Sequence, residues 1–166
     1  MEHRLAFFPA GAAGPEQPTS LPSLERLERA LEASWDERTA YLGAYAERNP
    51  ALGQCYPTAR VVQWFFPRFE IASGEVDTGA GLEWHFWNVD PASDPPEVVD
   101  LTWRQFPVGS KVTRFALLDR EALGDSVPTL MRCQLLLDRV LRHLAGHEAV
   151  AECDCENLYR DGQNTD

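Results

Sequence analysis

The stretch Cys55-Tyr56-Pro57-Thr58-Ala59-Arg60-Val61-Val62-Gln63-Trp64-Phe65-Phe66-Pro67-Arg68-Phe69-Glu70-Ile71-Ala72-Ser73-Gly74-Glu75-Val76 changes its period at Pro67. Before it, proline stands where a helix's first turn tolerates one and the following residues are apolar on most sides. That part reads as a buried helix with Cys55 at its N-terminus. After Pro67, Phe69 to Val76 alternates with the period of two that a strand shows. A buried helix running into a strand predicts an α+β domain, with helices flanking a small antiparallel sheet.

Downstream, Leu82-Glu83-Trp84-His85-Phe86-Trp87-Asn88-Val89 again alternates, and Glu97-Val98-Val99-Asp100-Leu101-Thr102 follows an Asp-, Pro- and Ser-rich loop over residues 90–96. These read as two strands of a hairpin, and Lys111 to Leu117 offers a fourth. Leu130, Cys133, Leu137, Val140, Leu141 and Leu144 recur at helical spacing from Ser126 onward, predicting a long amphipathic helix that ends by Gly146. Upstream, Leu24, Leu27, Leu31 and Trp35 form one helical stripe, capped by Ser20 or Ser23. A second helix is expected from Asp36 to Glu47, stopped by Asn49-Pro50. The expected organisation is a leader over 1–22, one domain over 23–148 and an acidic polar tail over 149–166.

With 166 residues, one core burying roughly 70% of the unfolded chain's surface is expected. The net charge of −11 and the lack of any Lys/Arg cluster argue against nucleic acid as a partner. The first residues do not read as a signal peptide, and no segment is apolar enough to cross a bilayer. The four cysteines, Cys55, Cys133, Cys153 and Cys155, are too irregularly spaced for a disulfide scaffold, so reduced thiols in a bacterial-type cytoplasm are expected.

A thiol at a helix N-terminus sits beside unpaired backbone donors and the positive end of the helix dipole, which favours its nucleophilic form. Alternation puts Glu83, His85, Trp87 and Val89 on one face, with His85 among aromatics, and a buried imidazole needs a partner. Asp100 interrupts an apolar run where an unpaired carboxylate is costly. If the strands pair as a hairpin, the two fall opposite or nearly so, giving a nucleophile, a base and an orienting acid. Gln54 is a candidate oxyanion donor with the Cys55 backbone N–H, and Asn88 and Thr102 are candidate supports. Tyr56, Trp84 and Trp87 are candidate pocket aromatics, although strand aromatics are more often core.

Gly53-x-Cys55-x-x-x-Ala59, His85-x-Trp87 and Asp100-x-Thr102 resemble, in order and interval, the Cys, His and Asp blocks of the transglutaminase-like superfamily. Ser34-Trp35, Gly53-Gln54-Cys55, Trp84 to Asn88 and Asp100-Leu101-Thr102-x-x-Gln105-Phe106 resemble, nearly end to end, the bacterial YunG-like family. The resemblance implies a papain-like or transglutaminase-like core with Cys55 as nucleophile, His85 as general base and acid, and Asp100 as its orienting carboxylate. Tyr56 stands where that superfamily often has Trp after the nucleophile.

The implied activity is acyl transfer or hydrolysis on an unknown amide- or ester-containing substrate, with a protein or peptide among the candidates, without a cofactor. One alternative is a catalytically inactive binding or accessory module on the same fold. A second is a metal-binding protein using His143, His147, Cys153 and Cys155.

Overall fold

The computed structural model describes residues 20–120 and 124–158, with 147–158 described by their backbone alone. Its first helix, α1 (Leu24–Glu32), starts where Ser23 Oγ accepts a hydrogen bond from the Arg26 N–H at 3.2 Å. The predicted apolar stripe turns inward, with Leu27, Ala30 and Leu31 fully buried. Transfer of each leucine side chain from water contributes on the order of 2 kcal/mol.

The helix expected over 36–47 does not form. Asp36 Oδ1 accepts from the Arg38 and Thr39 backbone N–H groups, a local turn that competes with helix. Leu42 and Gly43 then take positive φ values of 49° and 69°, inside a short 3-10 segment over Tyr41–Gly43. The chain next enters α2 (Cys55–Phe65), which begins at the expected cysteine.

The sheet comprises β1 (Glu70–Asp77), β2 (Leu82–Asp90), β3 (Glu97–Val99) and β4 (Lys111–Leu117), in the order β3-β2-β1-β4 with antiparallel pairing throughout. β3 is shorter than expected. It stops at Val99 because the Asp100 carboxylate accepts from the Thr102 N–H at 3.1 Å, and a 3-10 turn over Trp103–Gln105 follows. On one face of β2, His85, Trp87 and Val89 are buried, while Glu83 is exposed. The opposite face carries Phe86 and Asn88 toward α2, and the Asn88 amide donates to the Ala59 carbonyl at 3.0 Å. Gly74 sits where a Cβ would lie 2.5 Å from the Arg114 carbonyl oxygen and 2.7 Å from the Trp87 ring, so its hydrogen side chain lets Trp87 cross β1.

The last helix, α3 (Val127–Leu158), does not end by Gly146. One glycine costs a helix only about 1 kcal/mol, and the Ala- and Glu-rich residues beyond it favour continuation. The N-terminal segment over 1–19 and the chain after 158 lie outside the described residues. Cys133, Leu136, Leu137 and Val140 of α3 close one core with α1 and with Val61, Val62 and Phe65 of α2. Across it, Arg139 reaches the Ser34 carbonyl at 2.9 Å and Asp36 at 2.8 Å. Among the described residues no helix is long and apolar enough to cross a membrane.

Candidate functional site

Cys55 occupies the first position of α2 because the preceding turn forces the chain round. Gly53 has φ of +74°, and a Cβ there would lie 3.1 to 3.3 Å from Tyr41 and its neighbours Ala40 and Ala44. The Gly53 carbonyl accepts from the Tyr41 N–H at 2.8 Å, tying the Cys55 turn to the 3-10 segment. Cys55 itself is half-buried and free.

His85 is fully buried among rings: Trp87 stacks on it at 5.6 Å, and Phe106 and Trp103 meet it edge-on at 4.8 and 5.8 Å. Continuing the β2–β3 register past Asn88↔Val99 would set Asp100 opposite Trp87, so Asp100 meets His85 on the diagonal. Its Oδ2 lies 2.7 Å from His85 Nε2. Beyond Val99, β2 has no strand neighbour on that side among the described residues, and the imidazole interacts there with Asp100, Gln105 and the Cys55 side chain. Burial pushes the imidazole pKa down. The hydrogen bond to Asp100 and the hydrogen bond and charge of Cys55 outweigh that and hold it up at about 9.

The remaining expected residues divide by what they touch. Thr102 is buried and donates to Asp100 Oδ1 from both its backbone N–H and its hydroxyl, at 3.1 and 3.3 Å. Asn88 ties α2 to β2 through Ala59. Gln54 is fully buried, and its Nε2 donates to the Asp36 carbonyl at 2.9 Å, which engages the amide expected to serve an oxyanion. Trp87 backs His85 and is absent from the cleft wall.

A cleft of about 700 Å³ opens at Cys55. Tyr56, Trp84 and Phe86 line it, with Tyr56 packed edge-on against Phe86 at 4.9 Å. The Tyr56 hydroxyl bonds Asp125, which also pairs with the buried Arg60 at 3.0 Å. Burial, followed by that bond, drives the Tyr56 pKa upward.

Gln105, to which the sequence reading gave no role, lines the same cleft. Its Nε2 lies 3.2 Å from both His85 Nδ1 and the Thr102 carbonyl. The signal was present in the Asp100-Leu101-Thr102-x-x-Gln105 run, but a glutamine in a turn after a strand carries no spacing rule that directs it back to an imidazole.

Among the described residues no group of three or more His, Cys, Asp and Glu could hold a metal ion. His143 lines a separate hollow with Trp35, Asp36 and Arg139, whereas the side chains of His147, Cys153 and Cys155 lie outside the described residues.

A family model described as YunG protein matches residues 23–145, a span that holds Cys55, His85, Asp100 and Gln105. The chain belongs to the YunG family. No curated protein and no solved structure matches it significantly. The YunG match covers α1, α2, the whole sheet and most of α3, so the cleft and the imidazole cluster both lie inside the family's span.

Proposed function

We propose that this YunG protein is a cysteine-dependent acyltransferase or amide/ester hydrolase of transglutaminase-like type. The observation that carries the reading is the buried His85 imidazole, bonded to Asp100 at 2.7 Å and acted on by Cys55 at the head of α2. A helix-borne thiol, a strand-borne imidazole and a following carboxylate, met in that order, also support kinship with papain-like and transglutaminase-like cores.

Cys55 Sγ attacks the substrate carbonyl carbon, forming a C–S bond, and the thiol proton ends on His85. Collapse of the tetrahedral adduct breaks the C–N or C–O bond, and His85 gives its proton to the departing amine or alcohol. Water or an amine then attacks the thioester carbonyl, the C–S bond breaks, and its proton returns through His85 to Sγ. Asp100, held by Thr102, orients the ring throughout.

A specific observation favours a second reading, a binding module on the same fold: both imidazole nitrogens are engaged, Nε2 by Asp100 and Nδ1 by Gln105. Iodoacetamide labelling between about pH 5 and 9 separates the two. Cys133 is an internal control, since burial pushes its thiol up to about 12. Fast labelling of Cys55 below neutral pH, slowed roughly tenfold or more in His85→Ala, is the expected result. Slow labelling with the same profile in both proteins defeats the acyl-transfer reading and leaves the binding module.

A further inference from the structure

The cleft beside Cys55 carries, among the described residues that line it, one cation that the proposed chemistry does not use. Arg132, on the second turn of α3, lines it together with Thr129 and Tyr41. Several other arginines of this acidic chain are matched by carboxylates: Arg60 with Asp125 at 3.0 Å, Arg120 with Glu70 at 2.9 Å, Arg139 with Asp36 at 2.8 Å. Arg132 has no carboxylate partner among the described residues. Its Nη2 donates to the Thr129 hydroxyl at 2.9 Å, its guanidinium stands 5.7 Å from the centre of the Tyr41 ring, and its Nε is buried without a hydrogen-bond partner.

These contacts hold the guanidinium in place without neutralising it. Of the two acids among the described residues of the cleft wall, Asp125 is compensated by Arg60 and bonded to Tyr56. Glu83 stands on the β2 wall beside Trp84, exposed to water, which screens its charge. The other lining is aromatic: Tyr56, Trp84 and Phe86. A planar, partly desolvated guanidinium is the side chain best suited to a carboxylate or phosphate, which it engages through two parallel N–H bonds.

We infer that the cleft selects a substrate with an aromatic or otherwise apolar body and an anionic group, carboxylate in the simplest case, that docks on Arg132 while its acyl carbon lies at Cys55. This rests on the acyl-transfer reading for the role of Cys55, but the binding preference can be measured without any turnover.

The probes are the monoanilide of adipic acid, which joins a phenyl ring, an amide and a carboxylate, and its methyl ester, which lacks only the charge. Both are titrated by calorimetry into the full chain, into Cys55→Ala, and into Arg132→Gln and Arg132→Lys. The acid is expected to bind roughly tenfold or more tightly than the ester to the wild type and to Cys55→Ala, with the preference falling as salt is added. Arg132→Gln should bind acid and ester alike, and Arg132→Lys should keep part of the preference. Each readout is a ratio within one protein, and the wild-type ratio with its salt dependence tests the idea even if a variant folds poorly. Equal binding of acid and ester by the wild type, no binding of either, or a ratio unchanged in Arg132→Gln overturns the inference. If Cys55 resists iodoacetamide while the acid preference persists, the acyl-transfer reading fails and the anion-selective cleft stands.

Discussion

At His85 two opposing influences meet in one ring. Burial among Trp87, Trp103 and Phe106 disfavours charge, whereas Asp100 and Cys55 favour it and prevail. Asp100→Asn removes the larger of the two supports, so the imidazole should titrate well below its value in the intact protein, as followed by NMR of the ring Cε1–H signal against pH. Gln105 acts the other way: with its Nε2 anchored on the Thr102 carbonyl, its N–H points at Nδ1 and suits the neutral ring. Gln105→Leu should therefore move the same titration upward, and an unchanged curve would remove Gln105 from any role at the imidazole. Cys55, His85 and Asp100 were legible in the sequence as candidates because each breaks a local pattern: a thiol at a helix start, an imidazole among aromatics, a carboxylate in an apolar run. Gln105 breaks none, since it lies in a turn. Trp87 read as a possible cleft aromatic because alternation gives the face of a residue but not what covers that face.

Between elements, the geometry depends on how α2 rests on β2. Asn88 is buried and its amide donates to the Ala59 carbonyl, one turn past Cys55. Asn88→Ala should cost about 1–2 kcal/mol in urea unfolding and slow Cys55 labelling, because loss of the bond loosens the helix that carries the thiol. From the other face, Gly74 makes room for Trp87 to cross β1 and stack on His85. In Gly74→Ala the new methyl meets the Arg114 carbonyl at 2.5 Å, and the backbone cannot yield as a flexible side chain would. A loss of about 1–3 kcal/mol is expected, with a perturbed His85 resonance; an unshifted resonance would mean that Trp87 does not set the ring's position. All four strands and the start of α2 were readable, since period two and a proline in a helix's first turn are local signals. The helix expected over 36–47 failed because the Asp36 side chain competes for the backbone N–H groups that a helix would use. The shortening of β3 was equally hidden, as nothing in its apolar run shows that the Asp100 side chain accepts from the Thr102 N–H and ends the strand.

Over the whole molecule, the proton held by His85 couples the candidate site to folding. The folded imidazole titrates at about 9 and an ordinary one at 6.5, so between these values the folded chain binds a proton that the unfolded chain releases. The sign follows: the contribution is complete below about pH 6.5, shrinks as pH rises, and is gone once pH passes through about 9. Stability against urea should therefore fall across that window in the wild type. In His85→Gln, which keeps a polar group in the aromatic box but cannot titrate, the fall should be smaller, the difference between the two curves isolating the imidazole from tyrosines and other thiols. Asp100→Asn should move the curve toward that of His85→Gln, because with the carboxylate gone only Cys55 opposes the burial that favours a neutral ring. Parallel curves for wild type and His85→Gln would mean that the imidazole carries no extra proton in the folded state, and the Asp100 contact would then be an ordinary neutral hydrogen bond. A divergence confined to about pH 6.5–9 would instead identify a charged imidazole, buried beside Cys55 and Asp100, as a group that the fold itself keeps protonated at neutral pH, the form in which it gives its proton to the departing amine or alcohol.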